Sequence, residues 1–282
     1  MYRFSSASAQ NSFRSQSPLS NDLIARHAPS VLATEAHQSR GERYAFIPTL
    51  SVLDGLRREG FQPYEVRQTL CRDVAKRSFT KHLVRLRHVD SVAGDEVPEI
   101  ILVNSHDGTS SYQIMSGVFR FVCSNGLIAG NVHDDVRIRH SGNVVNDVIE
   151  GSFRVLEAAK DVKDRIDSYK AITLAPQEQV VFANAALQLR WDEQAPVKAE
   201  RVLEASRWQD RKDDLWTVFN RVQENLIKGG VSGRGTTGRR MTTRAVGGVN
   251  ENVKLNKALW SLADGLAQIK QNVINVEDLV VA

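Results

Sequence analysis

The sequence predicts an α+β protein: an antiparallel β-meander packed against a long helix, then a mostly helical C-terminal region interrupted by a mobile basic Gly/Arg/Thr loop. Three observations carry this. Between Tyr64 and His140 apolar residues recur with a period of two, and turn-forming residues break the runs. From Asn143 onward the period becomes helical and strands vanish. The stretch Lys228 to Lys254 lies between two amphipathic helical patterns yet holds almost no large apolar residue, so it cannot order itself by burial. The expected organisation is a flexible arm over residues 1–20, one domain over 21–270 and a tail over 271–282. Within the domain, 44–142 is β-rich and 143–270 helical, with the basic loop at 228–254.

The arm is rich in Ser, Gln and Asn, with Tyr2, Phe4 and Phe13 interleaved with Arg3 and Arg14. Asn21 to Ser39 reads as a short helix or irregular cover broken by Pro29. Thr49 is placed to cap a helix over Leu50 to Glu59, where Leu50, Leu53 and Leu56 have helical spacing and Gly60 ends it. Strands are expected from Tyr64 to Cys71, Thr80 to Val89, Glu99 to Asn104, Tyr112 to Cys123 and Val132 to His140. Turns are read at Ala93-Gly94-Asp95, His106-Asp107-Gly108 and Asn125-Gly126. One long helix follows over Val144 to Tyr169. Helices over Gln177 to Arg190, Lys198 to Ser206, Asp213 to Ile227 and Val253 to Ile269 come next, with Trp216 and Trp260 at core spacing. The apolar tail from Val273 reads as a docking strand.

Composition sets the class. At 282 residues with 41% apolar and 25% charged residues, the chain has ample core for a soluble globular protein. Two cysteines, Cys71 and Cys123, give no disulfide framework and fit a reducing cytoplasm. No apolar run is long enough to span a bilayer, and the N-terminus has no signal-peptide pattern. The net charge of +4 is too small for a whole-surface argument about polyanions, so the position of the charge decides.

The loop alone carries more positive excess than the whole chain. Lys228, Arg234, Arg239, Arg240, Arg244 and Lys254 face a single acid, Glu251, on a glycine-rich backbone. Arginine forks and closely approaching amides are what phosphate groups need. A second set comes from the sheet: if the strands pair as read, Arg85, Arg87, Arg137 and Arg139 project from one polar face, with Lys81 and Arg120 nearby. Arginine rather than lysine in those positions suits phosphate and base contacts.

Three stretches occur in an order that resembles a known family. These are Phe119 to Gly130 (FRFVCSNGLIAG), Trp216 to Gly230 (WTVFNRVQENLIKGG) followed by the basic loop, and Asn256 to Ala263 (NKALWSLA). Together they look like the phage and plasmid family described as domain-of-unknown-function family 932, over about residues 45 to 270. The resemblance implies a gene of a mobile element and brings no catalytic residues. At the level of topology, a helix, a meander, a long helix and a basic excursion are similar to single-strand annealing proteins, which assemble into rings or filaments around single-stranded DNA.

No enzyme signature competes with this. His106-Asp107 and His133-x-Asp135 are the best metal-like groups, and neither has paired-ligand spacing. Gly233 to Arg240 follows a helix and lacks the lysine of a P-loop. The expected function is a non-enzymatic DNA-binding protein of a phage or plasmid, binding or annealing single strands in recombination or replication, with low sequence specificity. It is expected to be cytoplasmic and homo-oligomeric, without cofactor, metal or membrane. The alternatives are a protein-interaction module acting on a host factor, and a metal-dependent nuclease using His106, Asp107, His133 and Asp135.

Overall fold

Period-two patterning becomes a sheet of seven strands among the described residues. The computed structural model describes residues 11–41, 44–91, 94–121, 125–129, 135–138, 144–192, 194–234 and 238–281. Strands β1 (Ser12–Arg14), β2 (Phe61–Gln68), β3 (His82–His88), β4 (Glu96–Asn104), β5 (Tyr112–Arg120) and β6 (Asn125–Ile128) lie side by side in that order. β7 (Val136–Ile138) also pairs with β5, and every pairing is antiparallel. The chain separates into two compact units, with a division inside the long helix at residues 159–160.

The first unit holds this sheet. Val66, Val84, Leu86, Ile100, Leu102 and Ile114 alternate onto one face. They pack against Ile24 of α1 (Asn21–His27), against Val52, Leu53 and Leu56 of α2 (Thr49–Arg58), and against Val148 and Val155 in the first half of α3 (Val144–Ala171). Each such side chain, fully buried, is worth roughly 1.5–3 kcal/mol, so this face is the main source of stability for the unit.

The opposite face is buried too, because the sheet curls. In a flat sheet β3 and β6 would lie about 14 Å apart, three strand spacings. Yet Arg85 of β3 donates from Nη1 to Leu127 O at 3.1 Å and from Nη2 to Gly126 O at 3.2 Å on β6. Arg14 of β1 lies over the ring of Phe119 on β5, 5.4 Å from its centroid.

Several local readings change. Residues 11–20, expected in a flexible arm, are built into the fold: Phe13 stacks on His27, and Arg14 Nε donates to Glu65 at 2.8 Å. Residues 1–10 lie outside the described residues. Thr49 does not cap α2. It is the first helical residue, and its hydroxyl meets His82 Nε2 at 2.9 Å while accepting from Asn104 Nδ2 at 3.0 Å. Asn125 and Gly126 form the start of a strand instead of a turn.

The second unit is helical apart from one hairpin. It contains the rest of α3, then α4 (Pro176–Trp191), α5 (Ala199–Val202), α6 (Leu215–Lys228) and α7 (Val249–Val281) from Glu251 onward. Asp214 caps α6 by accepting from Thr217 N at 2.8 Å. Tyr169, Phe219 and Trp260 form an aromatic cluster, with centroids 5.5 Å and 6.1 Å from Trp260. Trp216 stacks beside Phe219, so both core tryptophans are packing residues as their spacing predicted. Gln223 Nε2 donates to Asn256 Oδ1 at 2.7 Å, a buried amide pair joining two of the sequence motifs. The tail expected as a strand continues α7 through Val281; no glycine or proline after Gly265 stops that helix.

Candidate nucleic-acid interface

The segment expected to stay unordered forms a β-hairpin. β8 (Ser232–Arg234) and β9 (Arg240–Thr242) pair with Ser232 opposite Thr242, Gly233 opposite Met241 and Arg234 opposite Arg240. Residues 235–237 lie outside the described residues. Below the strands the ladder continues, Gly230 N donating to Thr243 O at 2.8 Å and Thr243 N to Val231 O at 2.9 Å. Threonines and Val231 supply the strand propensity that the glycines lack.

What the sequence did not suggest is how the hairpin is anchored. Arg201 Nε donates to Ser232 O at 3.1 Å. Arg190 holds two carbonyls at once, Leu226 O and Arg244 O, and burial pulls its guanidinium below the ordinary arginine value while Glu251 pulls it back up. Gly233 sits flush on the Pro196–Val197 segment: a Cβ there would come within 2.6 Å of Val197 and 2.7 Å of the Pro196 carbonyl. Two arginines bound to main-chain oxygen give no local sequence pattern, so Arg190 and Arg201 were not legible as anchors.

The outer surface of the hairpin is basic. Arg234, Arg239, Arg240 and Arg244 are all exposed, as is Lys254 near the start of α7. Among the described residues none of these five makes an ion pair. Lys228, by contrast, is bound to Glu224 at 2.8 Å. Arg234 and Arg240 stand directly opposite each other, and like charges in that position destabilise a β pair. The strands thus bring the predicted loop arginines together as a positively charged prong fixed at its base.

The sheet arginines are a correction. Arg85 and Arg87, expected on a solvated face, are 2% and 1% exposed. Arg85 Nη1 lies 2.8 Å from Glu99 Oε2 and Arg87 Nε 2.9 Å from Glu99 Oε1, while Arg85 Nε also approaches Glu65 at 3.4 Å. Arg87 is sandwiched between Tyr64 and Phe119, 4.4 Å and 3.7 Å from their centroids. The alternation holds, but the curl turns the polar face inward, and the carboxylates on neighbouring strands neutralise it. Neither side chain can meet a phosphate there. Lys81 is likewise buried, with Nζ on Asn250 at 2.8 Å. Arg137 is exposed on β7, and Arg139 lies outside the described residues.

Two residues of the nuclease alternative, His106 and Asp107, have structural roles. His106 is buried, its Nε2 3.4 Å from Thr49 and its ring 5.2 Å from that of His82. Asp107 accepts from Thr109 N at 3.0 Å and Thr109 Oγ1 at 2.6 Å, closing a turn. Among the described residues no group of three His, Cys, Asp or Glu side chains could hold a metal. His133 and Cys123 lie outside them. No helix among the described residues is long and apolar enough to cross a membrane.

Comparison with known proteins adds kinship without activity. The family model described as Domain of unknown function (DUF932) matches residues 36–260. UPF0380 protein YafZ of Escherichia coli (strain K12) is 49% identical over 259 residues, covering 92% of this chain and 95% of its own length. UPF0380 protein YfjQ of the same organism is similar to the same extent. No solved structure matches the chain.

Proposed function

The chain belongs to the DUF932 family, and because that membership brings no activity with it, we propose from the hairpin that the protein binds nucleic acid through the phosphate backbone, with low sequence specificity. One observation supports this above the others. Arg234 and Arg240 face each other across β8 and β9 with Arg239 and Arg244 beside them, exposed and without carboxylate partners among the described residues. Folding gains nothing from that arrangement; a like-charged cross-strand pair opposes it. A line of phosphates would neutralise it, and guanidinium forks match phosphate oxygens in pairs. Contacts of this kind position a strand without reading its bases. The setting we attach to this reading is single-stranded DNA handled during recombination or replication on a phage or plasmid, with assembly of several copies along the strand.

Fluorescence anisotropy with labelled oligonucleotides of mixed sequence tests it across a salt titration. The wild-type protein binds, and its affinity falls steeply with salt. Replacing Arg234, Arg239, Arg240 and Arg244 with alanine makes the slope of log K against log salt shallower by about 2–3, at roughly 0.7 per phosphate contact on a single strand. Thermal stability stays within about 0.5 kcal/mol, as for surface changes generally. Undiminished binding by the fourfold variant would remove the hairpin from the interface. Absence of binding by the wild type at low salt would leave an acidic protein surface as the partner of the prong.

A further inference from the structure

Trp208 stands out of the second unit with 77% of its surface exposed, the most exposed aromatic side chain among the described residues. The other tryptophans do not behave this way: Trp216 and Trp260 are buried, and Trp191 is half-buried under the guanidinium of Arg190, 4.3 Å from its centroid. Leaving a large indole in water forgoes the burial that aromatic residues otherwise contribute to a core.

Its backbone is nonetheless firmly held. Trp208 opens a single 3-10 turn, Trp208–Asp210, in which Arg211 N donates to Trp208 O at 3.2 Å. Arg207, just before it, donates from Nε to the buried Asp210 at 2.8 Å and from Nη2 to Glu224 of α6. Glu224 in turn holds Lys228, at the foot of the hairpin. Asn225, next along α6, donates to Val202 O at 2.8 Å and to Glu204 O at 3.1 Å, and Arg201 of the same segment binds Ser232 of β8. The turn that carries the indole and the foot of the basic hairpin are therefore both tied to α6 through Glu224.

The charge around the indole is also sorted. Arg211 lies with its Cζ 5.7 Å from the Trp208 centroid, and Lys212 follows it; both are exposed and neither makes an ion pair among the described residues. The acids of this stretch are turned to other work. Asp210 holds Arg207, Asp213 accepts from Gln179 at 2.9 Å, and Asp214 caps α6. All three attract Arg221, which is buried. Beside Trp208, Arg211 and Lys212 are exposed cations without an acid partner among the described residues, while the exposed Asp213 is bound to Gln179.

We infer that Trp208 is a stacking platform for an unpaired nucleobase, with Arg211 and Lys212 taking the phosphates on either side. This rests on the nucleic-acid reading above and adds the source of strand preference. Only a single strand offers a free base face; in a duplex the neighbouring pairs already cover it. Base–aromatic stacking beside cationic side chains is a sequence-tolerant way of holding single strands.

The test uses the full-length protein, three probes of equal length and two variants. The probes are a mixed-sequence single strand, an abasic single strand and a duplex. Wild type binds the base-bearing strand about ten-fold more tightly than the abasic one, the gain expected from a single stacked base. Trp208→Ala removes that margin and leaves abasic and duplex binding unchanged, while Trp208→Phe keeps most of it. Indole fluorescence is quenched by the base-bearing strand and not by the abasic one. If wild type binds both single strands equally, or Trp208→Ala weakens all three probes alike, the platform is overturned while the hairpin reading stands. If wild type binds none of the probes, both fall, and the exposed indole becomes a contact for a protein partner.

Discussion

The guanidinium of Arg85 occupies the space where a side chain at residue 126 would begin. A Cβ placed on Gly126 would lie 2.8 Å from Nη1 and 2.9 Å from Cζ of Arg85. The free end of an exposed arginine could swing aside at little cost. This one is bound to Glu99, Gly126 O and Leu127 O inside the curl of the sheet. Gly126→Ala must push a buried cation off its partners, and we expect a loss of about 2–4 kcal/mol, read as a lowered denaturation midpoint with unchanged m-value. A variant as stable as wild type would mean that the sheet can uncurl at β6 without penalty.

Among the described residues Glu99 is the only carboxylate bonded to both Arg85 and Arg87, and it is buried with them. Glu99→Gln keeps the shape and removes the charge, leaving two buried guanidinium groups under-compensated. Breaking a buried ion pair from one side costs about 3–5 kcal/mol. Chemical denaturation should show that loss. The four hairpin arginines, replaced together, should show almost none, and this contrast separates the arginines that serve the fold from those left for a ligand.

Acid should unfold the first unit in two stages. His82 is buried, and burial first, then the neighbouring His106, hold its imidazole well below the ordinary value of 6.5, against the Thr80 carbonyl, which favours the charged form. The unfolded chain takes up a proton below about that pH and the folded chain does not, so stability falls as pH drops from there. Burial also disfavours the Glu65 carboxylate, but Arg14, Arg85 and Arg67 outweigh it and hold its pKa down at about 2. Its contribution is complete above the ordinary value of 4.5 and is lost as pH falls toward 2. Thermal melts in steps from pH 7.5 to 3 should decline from about pH 6.5, and His82→Gln should reduce the first stage to the part left by His27, which burial and then Arg26 also hold below 6.5, while keeping the second. A flat profile down to pH 5 for wild type would sink the assignment to His82.

The elements were legible because local patterns encode them; the functional face was legible only in part because faces depend on closure. Period two located β3 and put Arg85 and Arg87 on one face together, and helical spacing picked out Trp216 and Trp260 as core residues. Alternation reports that two faces differ, but not which is wet. Glu65 and Glu99, on β2 and β4, decide that Arg85 and Arg87 point inward, and no window short enough to show a local period contains all four residues. The hairpin arginines were visible because nothing nearby could neutralise them. Trp208 is not legible from sequence because it follows Arg207 in a short irregular stretch without period, where burial cannot be read from spacing.

The opposition of Arg234 and Arg240 sets stability against binding in a way that one substitution can reverse. Arg240→Glu turns a repulsive cross-strand pair into an attractive one, a change of roughly 0.2–1 kcal/mol in favour of the hairpin. The same change removes one phosphate contact and introduces a charge that repels the backbone, so binding should weaken more than for Arg240→Ala. We expect slower amide exchange at β8 and β9 together with a shallower salt dependence of DNA affinity. A neutral control, Arg240→Gln, should fall between the two on both readouts. If Arg240→Glu orders the hairpin and leaves affinity intact, the prong is a structural feature and the polyanion lies elsewhere on the chain. If it weakens binding while the strands gain protection, the repulsion between the two arginines is retained for the ligand that relieves it.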